Sequence, residues 1–170
     1  RLATEISARR AAAEARGEHV LLLSAGDNFQ GSLFFTTYSG KAELAFLNEM
    51  GFDAMTLGNH EFDLGPAPLV AFIDGANFPV LFGNTDASAD PRLGPLDKDP
   101  LILDVGDEKV AILGAIAAET AEISTAGPTV TFGDPIAYLK DAVAAVEAQG
   151  VDHIIVLSHV GVPEDIRIAE

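Results

Sequence analysis

Three apolar runs, each stopping at polar and ionisable residues, constrain this chain more than any other feature. His19–Ser24 (HVLLLS) runs into Gly26-Asp27, Ala54–Leu57 into Gly58-Asn59-His60, and Ile154–Leu157 into Ser158-His159. Short apolar runs bounded by turn residues read as buried strands. Helix-like stretches lie between them. Leu2, Ile6 and Ala13 fall near one helical face before Gly17, Lys41–Met50 is closed by Gly51, and Pro66–Asp74 opens on prolines. Asp134–Gln149 repeats Ile136, Leu139, Val143 and Val146 at spacings of three and four and stops at Gly150. Pro79–Phe82 reads as a further strand. Leu101–Val105 and Lys109–Ile116 flank Gly106-Asp107-Glu108 as a β-hairpin. Ala87–Pro100 reads as a loop and Ala117–Pro128 as irregular. The alternation predicts an α/β domain with a mainly parallel sheet and an antiparallel part. In such sheets ligands gather beyond the carboxyl ends of the strands.

Composition narrows the partners. The chain has 170 residues, with Lys+Arg 10 against Asp+Glu 26 and a formal net charge of −16. That length predicts one domain. The charge repels nucleic acid and anionic membranes, so neither is an expected partner. With no cysteine there is no disulfide, thiolate metal site or cysteine nucleophile. No apolar run reaches the about 18 residues of a membrane helix, and the charged, alanine-rich start from Arg1 to Arg16 is no signal peptide. Both ends read as cut, since the chain starts at Arg1 and Pro163–Glu170 reads as a helix just beginning.

The strand ends hold the candidate chemistry. Asp27 follows apolar strand residues, where a carboxylate is costly unless paired or bound to a cation. Gly26 and Gly31 let backbone approach a ligand. A turn with an aspartate capping a helix accounts for Asp27 as well. In Gly58-Asn59-His60-Glu61-Phe62-Asp63, Asn59 offers a carbonyl oxygen and His60 a ring nitrogen. Asp63, three residues on, can accept a bond from His60 and fix its tautomer. Such a pair places a cation near a developing anion. The same run also fits a helix start capped by Asn59. His159 gains meaning from the other two strand ends: Asp, Asn and His form a mixed oxygen and nitrogen site suited to Zn, Mn or Fe. His19 and His153 open strands at the opposite edge and read as structural. Glu61 and Asn84 are intermediate, with a loop-capping role favoured for Asn84. Neither G-x-x-x-x-G-K-[ST], nor G-x-G-x-x-G after a strand, nor G-x-S-x-G occurs.

Gly26-Asp27, then GNHEFD at 58–63, then a strand ending in His159 resembles the calcineurin-like metallophosphoesterases. More closely it resembles their 5′-nucleotidase branch, with 2′,3′-cyclic-nucleotide phosphodiesterases and UDP-sugar hydrolases. The resemblance runs from His19 to Gly161. It implies a mixed β-sandwich flanked by helices, incomplete at both ends, so that residues 1–170 form a partial catalytic domain. It implies two divalent metal ions, with Asp27 bridging them, Asn59 and His159 as ligands of one, and His60 with Asp63 as the catalytic pair. Two cations roughly 3.5–4 Å apart activate a water and clamp both oxygens of an in-line displacement. The family's Asp-x-His and Gly-His-x-His motifs lie outside this chain, so the second metal site is expected to be mostly missing. A nucleoside-binding C-terminal domain is likewise outside it, and a central strand is expected to be lacking, leaving unpaired sheet edges.

The resemblance therefore implies hydrolysis of a small-molecule phosphoester or nucleotide, and a periplasmic or extracellular location. The alternative is a non-catalytic α/β fragment or binding module with partial metal affinity. A flavodoxin-like nucleotide-binding domain fits less well, because there is no phosphate loop and the hairpin interrupts the alternation.

Overall fold

The computed structural model describes residues 1–170. Helix α1 (Leu2–Glu14) is alanine-rich, which favours helix. It buries little beyond Ala13. It is tied down by Arg10, whose guanidinium donates to the Gly51 carbonyl at 2.5 Å and to Asp53 at 3.3 Å.

Strand β1 (Leu23–Ser24) is shorter than the run His19–Ser24 suggests, and it is half-buried rather than buried. The reason is Asp53. Its carboxylate accepts from Leu22 N at 2.7 Å while its own N–H donates to Leu22 O at 2.8 Å. A side chain thus takes the place of a ladder partner just before the strand. Helix α2 (Leu33–Tyr38) is not legible in a stretch rich in aromatic and β-branched residues, which favour strands. Local capping decides it: Ser32 Oγ accepts from Phe35 N at 3.1 Å. Phe35 then packs on Phe29 with ring centroids 5.0 Å apart.

Helix α3 (Lys41–Met50) and strand β2 (Ala54–Thr56) follow as expected. A 3-10 turn, Asn59–Phe62, leads to α4 (Pro66–Asp74), β3 (Val80–Leu81) and β4 (Thr85–Asp86). The expected loop 87–100 contains one 3-10 turn, Gly94–Leu96. The hairpin pairs β5 (Leu101–Val105) with β6 (Glu108–Ile116) across a two-residue turn in which Gly106 has φ +64°. The stretch read as irregular contains a short helix, α5 (Thr120–Ile123), and β7 (Thr131–Phe132) follows it. Asp134 caps α6 (Pro135–Glu147), accepting from Ile136 N at 2.8 Å and Ala137 N at 3.0 Å. Strand β8 (His153–His159) and α7 (Val162–Ala169) complete the chain.

The strands do not form one sheet. β1-β2-β3 is parallel, and β5-β6-β8 is mixed, with β5 antiparallel and β8 parallel to β6. β4 and β7 pair as a small antiparallel ribbon. The alternation of side chains along each strand explains the layering. Ala54, Leu81, Ile112 and Leu157 meet between the two larger sheets. Met55 and Val80 face outward to Leu47, Leu69 and Phe72 of α3 and α4. Ala111 and Leu113 face Leu139 and Val146 of α6. The result is the expected sandwich of sheets flanked by helices.

A partly buried polar junction ties the two sheets to α6. Asp99 accepts from Gly83 N at 3.2 Å, Gly114 N at 2.5 Å and Tyr138 Oη at 2.5 Å. Burial pushes its carboxyl up to about 6. No helix is long and apolar enough to cross a membrane.

Candidate active site

The loops after β1 and β2 touch backbone to backbone. Gly26 has φ +87°, and a Cβ there would collide with Gly58 N. A Cβ on Gly58 would collide with Asp27 Oδ1. The glycine at 26 therefore admits a second loop of the protein, not a ligand, and Gly31 faces open space. Asp27 itself sits in the left-handed region at φ 55°, uncommon for a residue with a side chain.

This packing aims Asp27 at the other two strand ends. Its Oδ1 accepts from His60 N at 3.0 Å, and its Oδ2 lies 3.2 Å from His159 Nε2. His159 Nδ1 lies 2.8 Å from the Ala25 carbonyl. A carbonyl only accepts, so Nδ1 carries the proton and donates. In the neutral ring Nε2 is then a lone pair facing a carboxylate. The two repel unless a proton or a metal cation stands between them, so the donor chemistry fits a cation. Asn59 begins the 3-10 turn one residue before His60. Of the three expected metal ligands, Asp27 and His159 are brought face to face, while no side-chain contact joins Asn59 to them. Nowhere does the chain gather three or more His, Cys, Asp or Glu side chains into a metal-binding group.

His60 and Asp63 form a pair across one turn. His60 Nδ1 lies 2.6 Å from Asp63 Oδ2. The bond to Asp63 raises the His60 pKa against a smaller opposing effect of burial, and the charge of Asp27 adds to the rise. Gln30, which sequence reasoning did not single out, donates from Nε2 to the same Asp63 oxygen at 2.9 Å. It does so from φ 70°, a conformation set by the loop and invisible in a residue list.

Glu61, read as intermediate, is fully buried at the centre of the cluster. Its Oε1 accepts from Asn28 N at 2.6 Å and Phe29 N at 3.2 Å, and its Oε2 from Asp27 N at 2.8 Å and Gly58 N at 2.7 Å. Burial pushes its pKa up, and the bonds from these backbone amides pull it down. The turn starts from Gly58, not from the expected cap Asn59, and Glu61 bonds the Gly58 N–H from three residues on; only that helix-start spacing was legible. The bonds to 27–29 cross between loops and were not.

The remaining expectations fall outside this cluster. Asn84 is buried and spends its amide on structure: Nδ2 donates to Ile116 O at 2.9 Å and Gly133 O at 2.7 Å, and Oδ1 accepts from Ile116 N at 2.8 Å. His153 begins β8, with Nε2 4.0 Å from Glu108. His19 lies against Gly106 in the hairpin turn.

No family model matches the sequence. The chain is 37% identical over 191 residues to the trifunctional nucleotide phosphoesterase of Bacillus subtilis, covering 92% of this chain and 13% of that protein. Among solved structures, a 5′-nucleotidase precursor from Thermus thermophilus superposes with TM-score 0.88 at 47% identity, over 92% of this chain and 31% of the other. The NAD nucleotidase of Haemophilus influenzae superposes with TM-score 0.91 at 34% identity, over 99% of this chain and 29% of the other. The chain thus spans less than a third of the length of each. In sequence and in fold the chain is thus similar to 5′-nucleotidases and nucleotide phosphoesterases over 92–99% of its own length.

Proposed function

We propose that residues 1–170 form a partial catalytic domain for metal-dependent hydrolysis of nucleotide phosphoesters. The observation that carries this reading is the His60–Asp63 pair, 2.6 Å apart, standing beside Asp27 and His159. The names of the similar proteins, a nucleotide phosphoesterase and two nucleotidases, support the substrate class. One of them is a precursor, which supports a periplasmic or extracellular location.

In this reading His60 is the cationic group next to the phosphoryl oxygens. Asp63 keeps the ring in one orientation and favours its protonated form, and Gln30 holds Asp63 in place. Asp27, Asn59 and His159 would hold a divalent ion, Zn, Mn or Fe by their donor types, and Asp27 would also contribute to a second. Divalent ions held there would supply positive charge for the phosphoryl group and activate water. An acidic protein can then accept an anionic substrate.

A second reading is a binding module with partial metal affinity. It is favoured by the small donor set, in which Asp27 and His159 are the ionisable groups that face each other. Phosphate release from adenosine 5′-monophosphate, and ring opening of a 2′,3′-cyclic nucleotide to the nucleoside monophosphate, each measured with Mn²⁺, separate the two. The catalytic reading expects impaired but measurable turnover by this partial domain and a further loss of about 100-fold or more in His60→Ala. A loss under about tenfold counts against it. Mn²⁺ binding without turnover leaves the binding module.

A further inference from the structure

Glu61 carries a negative charge into the interior and uses all of it on one task. Both oxygens are occupied by backbone N–H groups, two each, so neither is free to bind an ion or move a proton. Three of the donors, Asp27, Asn28 and Phe29, are consecutive. Successive N–H groups pointing at one spot make an anion-binding concavity. Here the protein fills it with its own carboxylate. The fourth donor, Gly58, lies in the second loop. One side chain therefore clamps the two loops together and stabilises the left-handed backbone at Asp27.

We infer that Glu61 is a positioning residue for Asp27: it holds the 26–30 loop in the shape that presents the Asp27 carboxylate to His159 and the His60 backbone. The inference rests on reading Asp27 as a metal ligand. Glutamine at 61 would offer one acceptor and one donor to four N–H groups, so at least one pair of amides would face a donor. Aspartate keeps the charge but falls one methylene short. Either change releases the loop while leaving Asp27, Asn59 and His159 in the sequence.

The test compares wild type, Glu61→Gln, Glu61→Asp and Val146→Ala in the full 170-residue chain. Val146, on α6, is buried in a separate apolar cluster, so its substitution loosens the fold without touching the loops. Calorimetric titration with Mn²⁺ alone is read beside the thermal midpoint and amide hydrogen exchange. We expect Glu61→Gln to bind Mn²⁺ at least about tenfold more weakly. Glu61→Asp is expected between it and the wild type, and Val146→Ala at wild-type affinity despite a lower midpoint. Faster exchange should be confined to the amides of 27–29 and 58. Equal Mn²⁺ affinity in wild type and both Glu61 variants overturns the inference. So does an equal loss in Glu61→Gln and Val146→Ala, which would mean general loosening. Should Glu61→Gln fail to fold, Glu61→Asp alone decides by the same criteria. Should the wild type bind no Mn²⁺, the metal reading of the site fails. Amide exchange then decides the positioning role: faster exchange limited to these loops supports it, and unchanged or global exchange overturns it.

Discussion

Strand β8 carries a histidine at each end, and the two have different surroundings. His153 opens the strand, is mostly exposed, and has Glu108 at 4.0 Å as its ionic neighbour. His159 closes it, donates to the Ala25 carbonyl at 2.8 Å, and faces Asp27 at 3.2 Å. A strand rises about 3.3 Å per residue, so the two rings start roughly 20 Å apart. The other two histidines divide the same way. His60 lies past the end of β2, and His19 lies against the hairpin turn at the opposite edge. The residue type is the same at both edges. What differs is the loops available: parallel strands send their following loops to one edge, where the loops after β1 and β2 can meet β8. The site is a property of that edge.

The widest break in this comparison is Asp27→Asn set against His153→Ala. Removing the Asp27 charge should weaken Mn²⁺ binding by about 100-fold in a calorimetric titration, while His153→Ala leaves it unchanged. If both substitutions have the same effect, the two edges are not distinct.

A smaller effect separates site from scaffold. The Tyr138 hydroxyl donates to the Asp99 carboxylate at the sheet junction, and burial keeps the phenol protonated. Asp99 is held near 6 in the fold against 3.8 when free, so the folded state keeps its proton longer. Its contribution to stability therefore falls as pH rises between those values and is level above them. The Tyr138 bond favours the charged form and limits that fall. Tyr138→Phe should cost about 1.5 kcal/mol at about pH 7.5 and clearly less at about pH 4.5, by denaturant melts at both. Mn²⁺ affinity should not change.

Gln30→Ala probes the hold on Asp63. Gln30 is exposed, so the midpoint should move little, and phosphate release should fall by a few-fold, roughly the worth of one hydrogen bond. No change in turnover would remove Gln30 from the catalytic arrangement. The smallest expected effect belongs to His19→Ala and His153→Ala, each within about 0.5 kcal/mol in stability. A larger loss would show that the opposite edge has a role of its own.

Much of this was legible in the residues because it is local. Lys41–Met50 and Pro66–Asp74 are helices at the expected bounds, since their caps and prolines act within a few residues. The hairpin follows from Gly106-Asp107 for the same reason. His60 with Asp63 is a contact between residues three apart, so spacing alone shows that it can form. Helix α2 was missed because its aromatic and threonine residues favour strands, and the Ser32 cap overrides them. The shortening of β1 was missed because Asp53, a residue of another segment, occupies Leu22.

The amino-acid sequence by itself determined the alternation of strands and helices, the polar strand ends and the His60–Asp63 spacing, all set by neighbours along the chain. Only the tertiary structure decided that the strands divide into two sheets, that Gly26 exists to admit Gly58, and that His159 reaches Ala25 across 134 residues. It also decided that Glu61, an intermediate case in the sequence, is buried and bonded to backbone amides of both loops. Those outcomes depend on backbone amides and carbonyls, which every residue carries alike, so no pattern of side chains along the sequence marks them in advance.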